Sequence, residues 1–302
     1  MSLLGVLLVA TACQPSHDHT SAGTSGDQKP TVYVVNYPLK YFSERVGGQS
    51  VSVELPIPSG IDPAFWIPDS ATILSYQKAD LIMLNGASYA KWVEHATLPA
   101  GKLVDTSSKF TDRTIVFQNA ITHSHGPEGA HVHSELASTT WLDLELAMEH
   151  ARSVKDALVK LRPGDTTTFE KGFSALEHDL VALDKEIAAV VARDPTQLLI
   201  GSHPVYQYLA RRYDLKLKSV HWEPDELPDE TMWKSLEAML KDHPARWMIW
   251  EGKPLAESVT RLKTLGIDSV VVSPCGNVPG QGDFLSAMRE NLQALKQVFP
   301  EP

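Results

Sequence analysis

Two groups of residues in this chain have the right side chains to hold a metal ion. The first lies in the C-terminal part. An apolar run over 198–200 stops at Gly201-Ser202-His203, and a helical pattern with Tyr206, Leu209, Ala210 and Tyr213 follows. This reads as a strand, a tight turn and a helix, with His203 at the carboxyl end of the strand. In open α/β sheets the ligand crevice lies outside those ends. His221, Glu223, Glu251 and Cys275 stand at comparable strand ends. Glu251 directly follows the apolar run Trp247–Trp250, and Glu223 sits in a Pro-containing turn after His221-Trp222. His203 with Glu251 and Glu223 would give a mixed nitrogen and oxygen donor set suited to zinc or manganese. Blander roles compete. His203 can serve as a turn residue or helix cap, the glutamates as solvated or paired surface carboxylates, and Cys275 as a small buried hydrophobe.

The second group is His123, His125, His131 and His133, two His-x-His pairs around Gly-Pro-Glu-Gly within 122–135. The stretch has no sustained apolar period and reads as a surface loop. Short His-rich tracts bind metals, and neutral imidazole favours zinc, copper or nickel. Affinity should be modest and coordination variable; a solvated polar loop with no role is the alternative.

The elements that must position these groups follow from the pattern. Strands are expected over 31–36, 51–55 and 79–84, with helices over 39–46, 71–77 and from 89–93. Strands alternating with helices imply parallel sheet. A helix over 141–161 precedes a longer one over 165–193, where Phe169, Phe173, Leu176, Leu180, Leu183, Ile187 and Val190 recur in steps of four and three. Such a stripe is one buried helix face. Strands over 198–202, 216–221, 247–250 and 269–272 then alternate with helices over 205–213, 231–242, 255–265 and 284–299. The fold class is therefore α/β: two lobes of parallel β-sheet flanked by helices and joined by one long spine helix. We assign 31–151 to the N-terminal lobe, 152–196 to the linking helix region and 197–302 to the C-terminal lobe.

With 302 residues, 43% of them hydrophobic and 21% charged, the chain has room for two ordinary domains. A net charge of −10 argues against nucleic acid as a partner and suits a collector of cations. Residues 1–13, MSLLGVLLVATAC, are apolar but too short to span a bilayer. They read as a lipoprotein signal peptide in which Ala10-Thr11-Ala12-Cys13 looks like a lipobox and Cys13 carries the lipid. Residues 14–30 lack the apolar surface to fold and read as a disordered tether. An exported, membrane-anchored monomer, periplasmic or at the cell surface, is the expectation. No nucleophile elbow, P-loop, dinucleotide fingerprint or His-Glu-x-x-His occurs, so an enzyme is not expected.

Several segments carry a family resemblance: Gly60-Ile61-Asp62-Pro63, the run ADLIMLNGASYAKWVE over 79–94, Trp141-Leu142-Asp143, the run over 197–215, and Gly282-Asp283-Phe284-Leu285 with Met288-Arg289-Glu290-Asn291-Leu292. The chain resembles the zinc/manganese-type solute-binding proteins of metal ABC importers over about 32–299. That resemblance implies two α/β lobes on a spine helix, an ABC permease as partner, and zinc, or else manganese, as cargo. It also implies four ligand positions, which here hold Ala64, Thr139, His203 and Ser273. Three of the four have lost a metal-binding side chain. An altered site built on His203, Glu251 and Glu223 is the first expectation. The alternatives are a noncatalytic receptor for an organic ligand or metal chelate, held by Trp66, Trp141 and Trp222, and a metal-buffering lipoprotein working through its histidine loop. His-rich loops in this region are frequent in the zinc members of the resembled family.

Overall fold

The computed structural model describes residues 29–116, 122–124, 130–132 and 136–301. Cys13, the signal-peptide segment and most of the tether lie outside them, as do His125 and His133. The first half runs β1 (Thr31–Val34), α1 (Tyr37–Gly47), β2 (Ser52–Glu54), α2 (Ser70–Lys78), β3 (Leu81–Leu84) and β4 (Leu103–Asp105). These strands form a parallel sheet in the order β2-β1-β3-β4. A two-stranded antiparallel ladder, β5 (Thr122–Ser124) with β6 (Ala130–Val132), comes next, then α3 (Leu144–Leu161) and α4 (Thr166–Val191). The second half holds β7 (Leu198–Gly201), α5 (Gln207–Tyr213), β8 (Lys216–Ser219), α6 (Glu230–Asp242), β9 (Trp247–Trp250), α7 (Ala256–Thr264), β10 (Asp268–Val271) and α8 (Phe284–Val298). Its sheet is parallel throughout, in the order β10-β9-β7-β8. Among the described residues no helix is long and apolar enough to cross a membrane.

The long helix is α4, 26 residues and about 39 Å at ~1.5 Å per residue. All seven apolar residues of its expected stripe are buried. Gly172 lets it approach α1 backbone to backbone: a Cβ there would lie 2.6 Å from the Arg45 carbonyl oxygen and 2.7 Å from that of Val46. Gly172→Ala should therefore destabilise the protein by about 1–3 kcal/mol through overpacking, although alanine is the better helix former by about 1 kcal/mol. Equilibrium denaturation would show this; an unchanged midpoint would mean that α1 and α4 can separate at no cost.

The two halves meet through more than α4. The Tyr37 amide donates to the Gly276 carbonyl at 2.8 Å. Phe284, at the start of α8, packs edge-on against Phe42 of α1 with ring centroids 5.3 Å apart. Arg212 of α5 holds Asp184 of α4 with two bonds of 2.9 and 2.6 Å and reaches Glu145 of α3 at 2.6 Å. Tyr213 donates to the same Asp184 at 2.9 Å. This network fixes α5, the helix that begins four residues after His203, to the spine.

Three local expectations differ. The segment 89–93 does not open an α-helix; it leads only into a 3-10 turn over Lys91–His95. Ala87 and Ser88 just before it have φ of 47° and 54°, a left-handed backbone that cannot continue as a right-handed helix. Strand β4 went unforeseen because Leu103 and Val104 are only half-buried and the run is three residues long. The stretch 122–135, expected as an irregular loop, carries the β5–β6 ladder, in which His123 and His131 are register partners.

Candidate metal centre

The site is built on the carboxyl ends of three adjacent strands. Strand β7 lies between β9 and β8 in its sheet, so the residues that follow it are flanked by those that follow the other two. The sheet continues past the named strands: the Ser202 amide donates to the Ile249 carbonyl at 2.9 Å, and Trp222 donates to the Ser202 carbonyl at 2.7 Å. His203 is thus delivered at a fixed height, with Glu251 on one side and Glu223 on the other. The turn bearing Glu223 is held in turn by the Leu255 amide, which donates to the Pro224 carbonyl at 2.9 Å.

His203 is 5% exposed, and the two glutamates are half-buried. Its Nε2 lies 3.6 Å from Glu223 Oε1, and its Nδ1 lies 3.9 Å from Glu251 Oε1. One donor atom from each of the three residues falls within 4.8 Å of the other two. Tetrahedral bonds near 2.1 Å would space ligands by roughly 3.4 Å, so a contraction of about an ångström would seat an ion. Each imidazole nitrogen faces a different carboxylate.

Burial pushes the Glu223 carboxyl up to about 7, with Asp225, Glu226 and Asp62 raising it further. Burial also pushes Glu251 up to about 8, with Glu223, Asp62 and Asp225 adding to it. With one acid at about 7 and the other at about 8, a cation seated between them would displace protons at neutral pH. His221 packs edge-on against His203, ring centroids 5.7 Å apart.

His150 shows the contrasting case of an imidazole spent on structure. Its two nitrogens each lie 2.7 Å from a threonine hydroxyl, Thr106 and Thr140, in the core. Burial pushes it down to about 3.

The other positions implied as ligands by the family resemblance have structural duties. The Thr139 hydroxyl donates to the Val205 carbonyl at 2.5 Å. Ser273 Oγ accepts from the Cys275 amide at 3.1 Å. The Ala64 amide donates to Asp62 Oδ1 at 2.8 Å. Cys275 stays outside the cluster, buried, with its thiol pushed up to about 12 by burial, then by Asp283 and Glu290. Of the tryptophans considered for an organic ligand, Trp222 packs against Trp233 and Trp250 in the core behind the second sheet. Trp141 is buried and donates to the Pro274 carbonyl at 2.7 Å. Trp66, half-buried, stacks edge-on against Trp92. Sequence reasoning did not single out Asp62; the signal available was its place in the Asp-Pro segment of the first half.

Two parallel sheets flanked by helices and bridged by a long helix, with a candidate ligand set where the strands of one sheet end, define a two-lobed α/β protein. The chain belongs to the ZnuA family, described as zinc-uptake complex component A, periplasmic, whose profile matches residues 32–298. It is 26% identical to the zinc-binding lipoprotein AdcA of Streptococcus pneumoniae across 96% of this chain, and spans about 60% of that relative's length. It is 25% identical to the high-affinity zinc uptake system protein ZnuA of Bacillus subtilis, over 96% of this chain and 93% of the relative. The manganese ABC transporter substrate-binding lipoprotein ScaA of Streptococcus gordonii is 24% identical over 76% of this chain and 73% of its own. Among solved structures, the metal-dependent lipoprotein YcdH of B. subtilis matches with a TM-score of 0.77 and 22% identity, over 90% of this chain and all of that one. Zn(II)-bound S. pneumoniae AdcA matches with a TM-score of 0.75 and 23% identity, over 90% and 58%.

Proposed function

We propose that this protein is the extracytoplasmic binding component of a metal-ion ABC importer, collecting a divalent cation, zinc before manganese, and passing it to a permease. The ion is held by His203, Glu223 and Glu251 in place of the ligand set that the family resemblance implies. The observation that carries this reading is the convergence of those three donors within 4.8 Å at adjacent strand ends. Relatives described as zinc and manganese binders support the cargo class. One imidazole with two carboxylates suits either ion. Export and anchoring through Cys13, and monomeric action, belong to the same proposal, as do lobes at 31–151 and 197–302 about the linking region 152–196. The loop histidines His123, His125, His131 and His133 act as weaker, variable capture sites.

Calorimetric titration with zinc separates cleft from loop. The intact protein should show one tight event and several weak ones. Deleting 122–135 should remove only the weak events, and His203→Ala only the tight one. Complete loss on loop deletion, with His203→Ala silent, would leave a metal-buffering lipoprotein with no cleft site.

A further inference from the structure

We propose that Asp62 is the ligand contributed by the first half, drawn across the cleft to the ion held by His203, Glu223 and Glu251. The inference rests on the metal reading above and adds what couples binding to the approach of the two halves. A ligand shifts a conformational equilibrium only through interactions that differ between the two states. His203, Glu223 and Glu251 all come from one sheet. An ion bound by them alone would gain nothing from the other half. Ala64 has no donor side chain, and the Thr139 hydroxyl is committed to the Val205 carbonyl.

Asp62 is placed to fill that role. Its carbonyl accepts from the Phe65 and Trp66 amides at 3.2 and 3.0 Å, which closes the turn over Pro63 and Ala64. Its Oδ1 accepts from the Ala64 amide at 2.8 Å, while Oδ2 makes no hydrogen bond among the described residues. The turn is fastened to the other half. Asn277 Nδ2 donates to the Pro58 and Ile61 carbonyls, both at 2.8 Å. Asn277 follows β10, the strand beside β9, and Glu251 is the residue directly after β9. Asp62 adjoins the loop after β10, since a Cβ on Gly276 would lie 4.0 Å from Cδ of the neighbouring Pro63. It lies outside the set of donors already within 4.8 Å of one another, so a bound ion must draw it in. The completed set would be one nitrogen and three carboxylates, an oxygen-rich cage for a hard-to-borderline divalent cation.

Asp62→Asn tests this cleanly, because the amide oxygen still accepts from the Ala64 amide and preserves the turn while the charge is lost. Zinc and manganese are each titrated into the full chain in competition with a chelator, and amide exchange is followed over 58–66 with and without metal. We expect the tight site to persist but weaken at least tenfold in Asp62→Asn, with the thermal midpoint of the metal-free protein not lowered. Metal should slow exchange over 58–66 in the parent and not in the variant, and Asp62→Glu should recover part of the affinity. Affinity within twofold of the parent, with His203→Ala still abolishing the tight site, would overturn the role of Asp62 and leave the three-ligand site standing. No tight binding by the parent protein would overturn both.

Discussion

Glu251→Gln is expected to lower zinc affinity at least a hundredfold, leave the fold intact, and flatten the loss of stability that the metal-free protein shows as pH rises. The affinity loss follows from charge. Glutamine keeps the shape of the side chain but offers a neutral oxygen in place of an anion, and losing even an outer-shell carboxylate costs ~10–100-fold in metal affinity. The stability effect has the opposite origin. Unfolded, a glutamate ionises near 4.3; folded, burial and the neighbouring Glu223 push Glu251 up to about 8. The folded chain therefore holds more protons than the unfolded one between those values, and stability falls as pH rises through that window. Glutamine has no proton to lose, so its curve should be flatter. Thermal unfolding with chelator at pH 5, 6, 7 and 8 measures both slopes. Equal slopes for the two proteins would mean that Glu251 is solvated in the metal-free state and unsuited to the role assigned to it.

How far the sequence foretold this site depends on how each residue is positioned. Parallel strand order fixes where carboxyl ends lie, so any residue directly after an apolar strand is close to placed once the strand is recognised. His203 and Glu251 follow β7 and β9 by two residues and one, and these were legible. Glu223 was harder, because it lies four residues past the observed end of β8 at Ser219 and two past the expected end at 221, in a turn that contains Pro224. The Leu255–Pro224 hydrogen bond that holds this turn joins segments with no shared local pattern. Asp62 was not legible as a site group. Its position depends on a loop clasped by Asn277, more than two hundred residues away in sequence. The same holds for Thr139 and Ser273, whose hydroxyls could be read as weak ligands until their backbone partners were seen. The spine helix was nearly complete in the sequence because seven apolar residues repeat on one face, a signal that needs no tertiary knowledge. Its observed bounds, Thr166–Val191, fall one and two residues inside the expected ones.

Zinc binding at pH 7 should release between one and two protons, and affinity should keep rising with pH up to about 8. At pH 7 a carboxyl at about 8 is mostly protonated and one at about 7 is half protonated, and ligands must be deprotonated to bind. Below pH 7 both protons compete with the ion, so affinity should climb by roughly ten- to a hundredfold per pH unit. Between 7 and 8 the slope should ease toward a single proton, and above about 8.5 it should level off. Ordinary site groups would behave differently. Glutamates near 4.3 and an imidazole near 6.5 would leave affinity almost flat above about pH 7.5. The rise between 7 and 8 is therefore the signature of the two carboxyls. Calorimetry of the loop-deleted protein in buffers of differing ionisation enthalpy counts the released protons without interference from the loop histidines. In Glu251→Gln the residual binding should release about one proton fewer and level off nearer pH 7. Release close to zero in the parent protein at pH 7 would show that the glutamates are already ionised, and so that the cleft is more open to water than their burial implies.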